Sequence, residues 1–142
     1  MNGTNLILSC LFDGTRSCQT ALKDGLDAAS CASLKTKLHL ILRELDALEM
    51  EIRALSSSRG LEFDGLPPIS HILAHGRARI RLHFRNSDSA VAEMLINTFS
   101  KTVIPLMKSK NQCHDPEPQT EYLTQRYLGC VSAAVRNLQE YL

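Results

Sequence analysis

The sequence lacks several features that would point to a particular class of protein. No apolar run reaches the roughly 18 residues that a membrane-spanning helix requires, so a membrane span is excluded. The 16 basic and 15 acidic residues give a net charge of only +1, which creates no global field to attract nucleic acid or an anionic membrane. The N-terminal stretch LILSCLF is too short for a secretion signal and has no basic flank. We therefore expect a cytoplasmic protein with no membrane or nucleic-acid partner.

Paired cysteines and catalytic signatures are also missing. The five cysteines are scattered, odd in number and form no C-x-x-C pair, which argues against a disulfide framework or a zinc knuckle. A free cysteine behaves as a small hydrophobe, so we expect thiols that are buried or half-buried. The sequence contains neither a glycine-rich phosphate loop nor a G-x-S-x-G motif. These absences predict a protein that is not an enzyme and has no cofactor.

A seven-residue repeat dominates the segment from 34 to 55. Its period predicts a long helix with one narrow apolar seam, and it favours neighbouring helices that cross at about 20° in a left-handed bundle. Ser30 or Ser33 can cap the start of this helix, and Gly60 suits its end. The seam residues follow alternating steps of 4 and 3: Leu34, Leu38, Ile41, Leu45, Leu48, Ile52 and Leu55.

The C-terminal segment repeats this pattern and predicts a second strong helix. Asp115 or Thr120 can cap its start, and the prolines there lie where backbone donors have no partner within the helix. Tyr127, Ala134 and Tyr141 broaden its apolar stripe. The seam itself consists of Leu128, Val131, Val135, Leu138 and Leu142.

Three further helices are predicted near 4–25, 68–85 and 88–109. Gly25 is expected to end the first, and Pro105 is expected to kink or unwind the last because proline removes a backbone donor. No segment alternates apolar and polar residues as a half-buried strand does. The fold prediction is therefore all-α: one domain over 1–142, forming an antiparallel four-helix bundle with an additional short helix between the second and fourth predicted helices.

The motif HILAH is the nearest approach to a metal site. His71 and His75 stand one helical turn apart, a spacing at which two imidazoles can bind one ion. Two histidines leave the coordination shell incomplete, and the permanent cation Arg79, one turn further on, repels a divalent ion. His71 and His75 are thus the candidate metal ligands, although we predict no metal site.

Carboxylates suitable for a metal centre in the bundle interior are not predicted either. No glutamate stands three residues before a histidine, whereas bundles with two metal ions use such Glu-x-x-His pairs. Glu44, Glu49 and Glu51 flank the apolar seam and are expected near solvent. Glu49 and Arg53 are spaced for an i,i+4 ion pair.

A stripe of arginines marks the predicted helix 68–85. It consists of Arg77, Arg81 and Arg85 and makes that helix locally basic. One interpretation is a solvated face paired with neighbours such as Glu62 or Asp64. The other is a docking face for an acidic protein partner or a ligand that carries phosphate.

The order of these elements resembles the small bacterial ferritin-like bundles of unknown function, distant relatives of ferritin and rubrerythrin. The resemblance rests on LFDGTRSCQTALKDGLDAASCASLKTKL leading into a long helix that ends RELDALEMEIRALSSSRG, and on the path from PPIS through NSD to AVAEML. It implies a ferritin-like scaffold over nearly all 142 residues. Some members of that family hold a di-iron centre with carboxylates and Glu-x-x-His ligands, which this sequence lacks.

The sequence as a whole predicts a non-enzymatic structural or protein-interaction bundle that has lost the ferritin-type ligands. The alternative is a ferritin-like stress or storage protein that binds iron, manganese or zinc. Leu40 and Leu42 lie beside the main seam and offer more apolar surface than one seam needs, so a homodimer is expected. An acidic protein is the other expected partner.

Overall fold

The computed structural model describes residues 3–63 and 87–142, which fold into four α-helices. These are α1 (Gly3–Ala28), α2 (Ala32–Ser58), α3 (Asp88–Gln112) and α4 (Pro118–Leu138), and a short 3₁₀ helix, Gln139–Tyr141, follows α4. Both described ranges are free of strands, which confirms the all-α prediction for them. None of the four helices is long and apolar enough to cross a membrane. The helix predicted at 68–85 lies outside the described residues.

The apolar seam of α2 packs as its period predicts. All seven seam residues are buried, and five of them are at most 1% exposed. Burying a leucine or isoleucine side chain contributes about 1.5–3 kcal/mol to folding, so this seam is a large part of the hydrophobic core. The prediction of a long second helix is confirmed, and its members are Leu34, Leu38, Ile41, Leu45, Leu48, Ile52 and Leu55.

The seam of α4 differs from the prediction by a rotation of the helix. Tyr127 and Ala134, which were expected to broaden the stripe, are buried at its centre. Leu128 and Val135 are only partly buried, and Leu142 is 63% exposed. The predicted phase was wrong because a tyrosine hydroxyl needs a hydrogen-bond partner when buried, and the partners of Tyr127 lie inside the bundle. The buried stripe is Thr120, Leu123, Thr124, Tyr127, Val131, Ala134 and Leu138.

Helix α1 passes through Gly25 and ends at Ala28, so the prediction that Gly25 ends it was wrong. A Cβ atom at Gly25 would lie 3.1 Å from Cγ1 of Val91, near the start of α3. This glycine therefore allows two helices to approach closely. At the other end of α1, a Cβ at Gly3 would lie 3.0 Å from Sγ of Cys113, which follows α3.

Polar contacts join α2 to α1 along their lengths. The Arg59 Nε atom, just after α2, donates to Oδ1 of Asn5 at 3.1 Å. The Gln19 amide donates to Oδ1 of Asp46 at 2.8 Å. The end of α2 thus lies beside the start of α1.

Helix α4 contacts both ends of α2. The Arg59 guanidinium also binds Oε2 of Glu117, immediately before α4, at 2.7 Å. Beyond α4, the Tyr141 hydroxyl lies 2.6 Å from Oγ of Ser33 in the first turn of α2. These two contacts fix the two ends of the α2–α4 pair.

Helix α3 continues past Pro105 to Gln112, so the early unwinding expected at this proline is not observed. Proline cannot donate the backbone hydrogen bond of that turn, and the following residues remain helical. Near the end of α3, Nζ of Lys110 lies 3.4 Å from Oε1 of Glu121 in the first turn of α4.

The start of α2 is capped by a residue from another helix. The prediction that Ser30 or Ser33 caps this helix was wrong. Its N-cap residue is Cys31, which makes no side-chain capping bond. Instead the Asp88 carboxylate accepts hydrogen bonds from the backbone N–H groups of Ser30, at 2.8 Å, and Cys31, at 3.2 Å. A carboxylate at a helix N-terminus satisfies unpaired donors and interacts favourably with the helix dipole.

This cap makes a first prediction. Asp88→Ala should lower the free energy of unfolding by about 1–2 kcal/mol, because two backbone donors lose their acceptor. The measurement is urea unfolding followed by circular dichroism. The matched control is Asp115→Ala, because this exposed aspartate does not cap α4 as predicted, the N-cap residue there being Glu117, and its loss should change stability by less than about 0.5 kcal/mol. Equal effects of the two substitutions would contradict the capping role.

Candidate functional site

Three helices bring polar side chains together in the bundle interior. Cys18 of α1 and Tyr127 of α4 are both fully buried, and Thr102 of α3 is partly buried beside them. Each sits on the inward face of its helix. We call these three residues the buried polar cluster.

The hydrogen bonds of the buried polar cluster run in one direction. The Tyr127 hydroxyl donates to Oγ1 of Thr102 at 2.5 Å, and the Thr102 hydroxyl donates to the carbonyl oxygen of Phe99 at 2.7 Å. Sγ of Cys18 lies 3.5 Å from the Tyr127 oxygen. Because the only phenolic proton is already donated to Thr102, the Cys18 thiol must be the donor to Tyr127. The chain therefore ends on a backbone carbonyl of α3.

Gly14 makes room for this arrangement on α1. A Cβ atom there would lie 2.6 Å from the Tyr127 hydroxyl oxygen and 3.1 Å from its Cζ atom. Both distances are too short for ordinary packing. The glycine thus lets the tyrosine ring reach Cys18 and Thr102.

Burial keeps the cluster uncharged at neutral pH. It raises the pKa of Cys18 to about 12, and the hydrogen bonds that the Tyr127 and Thr102 hydroxyls can donate to a thiolate only partly oppose the shift. Burial, with a smaller contribution from Cys18, also raises the pKa of Tyr127 well above its ordinary value. A thiol or phenol in this state is neither a nucleophile nor a metal ligand.

A second protonated thiol lies between α4 and α2. Sγ of Cys130 donates to Oε2 of Glu44 at 3.4 Å. Burial, followed by the Glu44 carboxylate, raises the pKa of Cys130 to about 12. Cys130 is only half-buried, so we expect its protonation to limit its reactivity as well as its restricted access.

Glu49 of α2 lies in an ion-pair cluster with two arginines. The predicted pair with Arg53 is confirmed at 3.0 Å, and Arg16 of α1 adds a second contact at 3.4 Å. Burial raises the pKa of Glu49, but hydrogen bonds from Arg53 and Arg16 outweigh that effect and lower it overall. The Arg53 guanidinium also lies 4.8 Å from the centre of the Phe12 ring, on which Phe63 stacks. This carboxylate therefore binds α1 to α2 and is less exposed than expected.

A shallow groove of about 270 Å³ separates α1 from α3 beside the cluster. Its one thiol, Cys10, lies 3.2 Å from Oγ of Ser109. The Ser109 hydroxyl donates to the carbonyl oxygen of Pro105 at 3.0 Å, and the same carbonyl lies 3.8 Å from the Cys10 thiol. The residues that line the groove include Cys10, Asp13, Gly14, Thr98, Lys101 and Pro105.

The site residues predicted from the sequence lie outside the described residues. They are the metal candidates His71 and His75 and the basic stripe Arg77, Arg81 and Arg85, and both hypotheses stay predictions. Within 3–63 and 87–142, no three His, Cys, Asp or Glu side chains gather in a group that could hold a metal ion.

The buried polar cluster was not predicted as a unit. Tyr127 was expected beside the apolar stripe of its helix, and Cys18 and Thr102 stand at helical spacing from leucines in theirs. A polar residue at such a position is the signal that the sequence offers. Which of them meet depends on the rotation of three helices, and a single helix's period does not define that rotation.

The Gly14 contact predicts that substitutions at Gly14 and Tyr127 have coupled effects on stability. Gly14→Ala should lower the free energy of unfolding by about 1–3 kcal/mol, since the new methyl group overlaps the Tyr127 hydroxyl. In a Tyr127→Phe background the same substitution should lower the free energy of unfolding by less, because the closest atom, the Tyr127 hydroxyl oxygen, is absent. Urea unfolding of the unaltered protein, the two single variants and the double variant measures this coupling.

Gly129→Ala on α4 is the matched control for this coupling. Nothing lies within 4 Å of a Cβ at Gly129, so alanine there should stabilise the helix by about 0.5–1 kcal/mol. If Gly14→Ala costs the same with and without the tyrosine hydroxyl, Gly14 does not serve to accommodate that group.

The pKa of Cys130 gives a second site prediction. At pH 7.5 a thiol with a pKa near 12 has roughly a thousandfold fewer thiolates than an ordinary cysteine, so alkylation by iodoacetamide should be correspondingly slow. Glu44→Gln removes the carboxylate and should accelerate alkylation of Cys130. Peptide mass spectrometry reports both thiols, and Cys18, which does not contact Glu44, should keep its rate. Equal acceleration of the two thiols would indicate loosening of the fold instead.

Comparisons of the chain with protein-family models, with curated proteins and with solved structures found no match. The resemblance to ferritin-like bundles therefore stays a prediction.

Proposed function

We propose that this chain is a non-enzymatic helical bundle that acts through protein–protein interaction. The observation that carries the proposal is the protonated state of the buried polar cluster. Its thiol and phenol donate along a chain that ends on a backbone carbonyl, and burial holds both pKa values far above neutral pH. General acid–base catalysis at pH 7 requires a group that titrates near pH 7. Neither member of this cluster does.

The carboxylates of α2 support the same proposal. A ferritin-type centre needs glutamates that point into the bundle between facing helices. Here Glu44 binds Cys130, Glu49 binds Arg16 and Arg53, and Glu51 pairs with Arg126. Meanwhile the inward face of α2 is a hydrocarbon seam. These carboxylates hold helices together at the surface of the bundle.

We also propose that the helices adopt the antiparallel, ferritin-like arrangement. The start of α1 lies beside the ends of α2 and α3, and the end of α2 lies beside the start of α4. The start of α3 meets the start of α2 through Asp88. This combination favours two antiparallel helix pairs, with α2 and α3 pointing the same way. A bundle with one long crossover connection, as in ferritin-like folds, has that pattern.

Metal analysis tests the proposed function. Protein purified without an affinity tag or a chelator should contain only substoichiometric iron, manganese and zinc by plasma mass spectrometry. Stoichiometric metal would favour the metal-binding alternative. In that case His71→Ala with His75→Ala identifies the site, since loss of the ion would place it at HILAH and its retention would place it elsewhere in the chain.

A further inference from the structure

We draw no further inference here: the strongest candidate, the groove between α1 and α3 beside Gly14, carries nothing, because its hydroxyls already donate to backbone carbonyls and nothing in the part of the chain that the structure describes shows what covers it.

Discussion

The hydroxyl of Tyr127 is the constraint on which the interior of this bundle depends. A phenol in a hydrocarbon core loses several hydrogen bonds to water and must replace them. Its partners come from two other helices, so one oxygen atom joins α4 to both α1 and α3. The rotation of α4 and the glycine at position 14 both follow from this requirement. A phenylalanine would fill the same space without specifying those rotations.

The parts of the fold that the sequence predicted are those decided within one helix. The seam of α2 is a strict repeat of leucine and isoleucine, and nothing polar competes with it for the interior, so its burial follows from its period alone. In α4 two overlapping stripes share Val131 and Leu138, and the choice between them depends on what lies across from Tyr127. Helix ends are similarly ambiguous: Gly25 is needed for close packing, and the cap of α2 comes from elsewhere in the chain.

The candidate site likewise depends on more than the pattern within one helix. The sequence pattern placed Tyr127 only at the edge of the predicted stripe of its helix, and the meeting of cysteine, threonine and tyrosine depends on three helices at once. The ionisable groups are arranged by environment. Burial raises the pKa values of Cys18, Cys130 and Tyr127, whereas Glu49 and Glu51 of α2 bind arginines and Glu44 accepts a hydrogen bond from a thiol. In a bundle organised like this, the charged groups that can interact with other molecules lie on the outer faces.

The Asp88 carboxylate has a consequence for how the chain folds. It stands 58 residues after Ser30, whose backbone it binds, so the N–H groups immediately before α2 gain their acceptor only when α3 packs beside them. An isolated fragment of the first two helices would have a frayed junction between them. The two halves of the molecule are thus energetically coupled at this point, and closing so long a loop adds a non-local step to an otherwise local folding route.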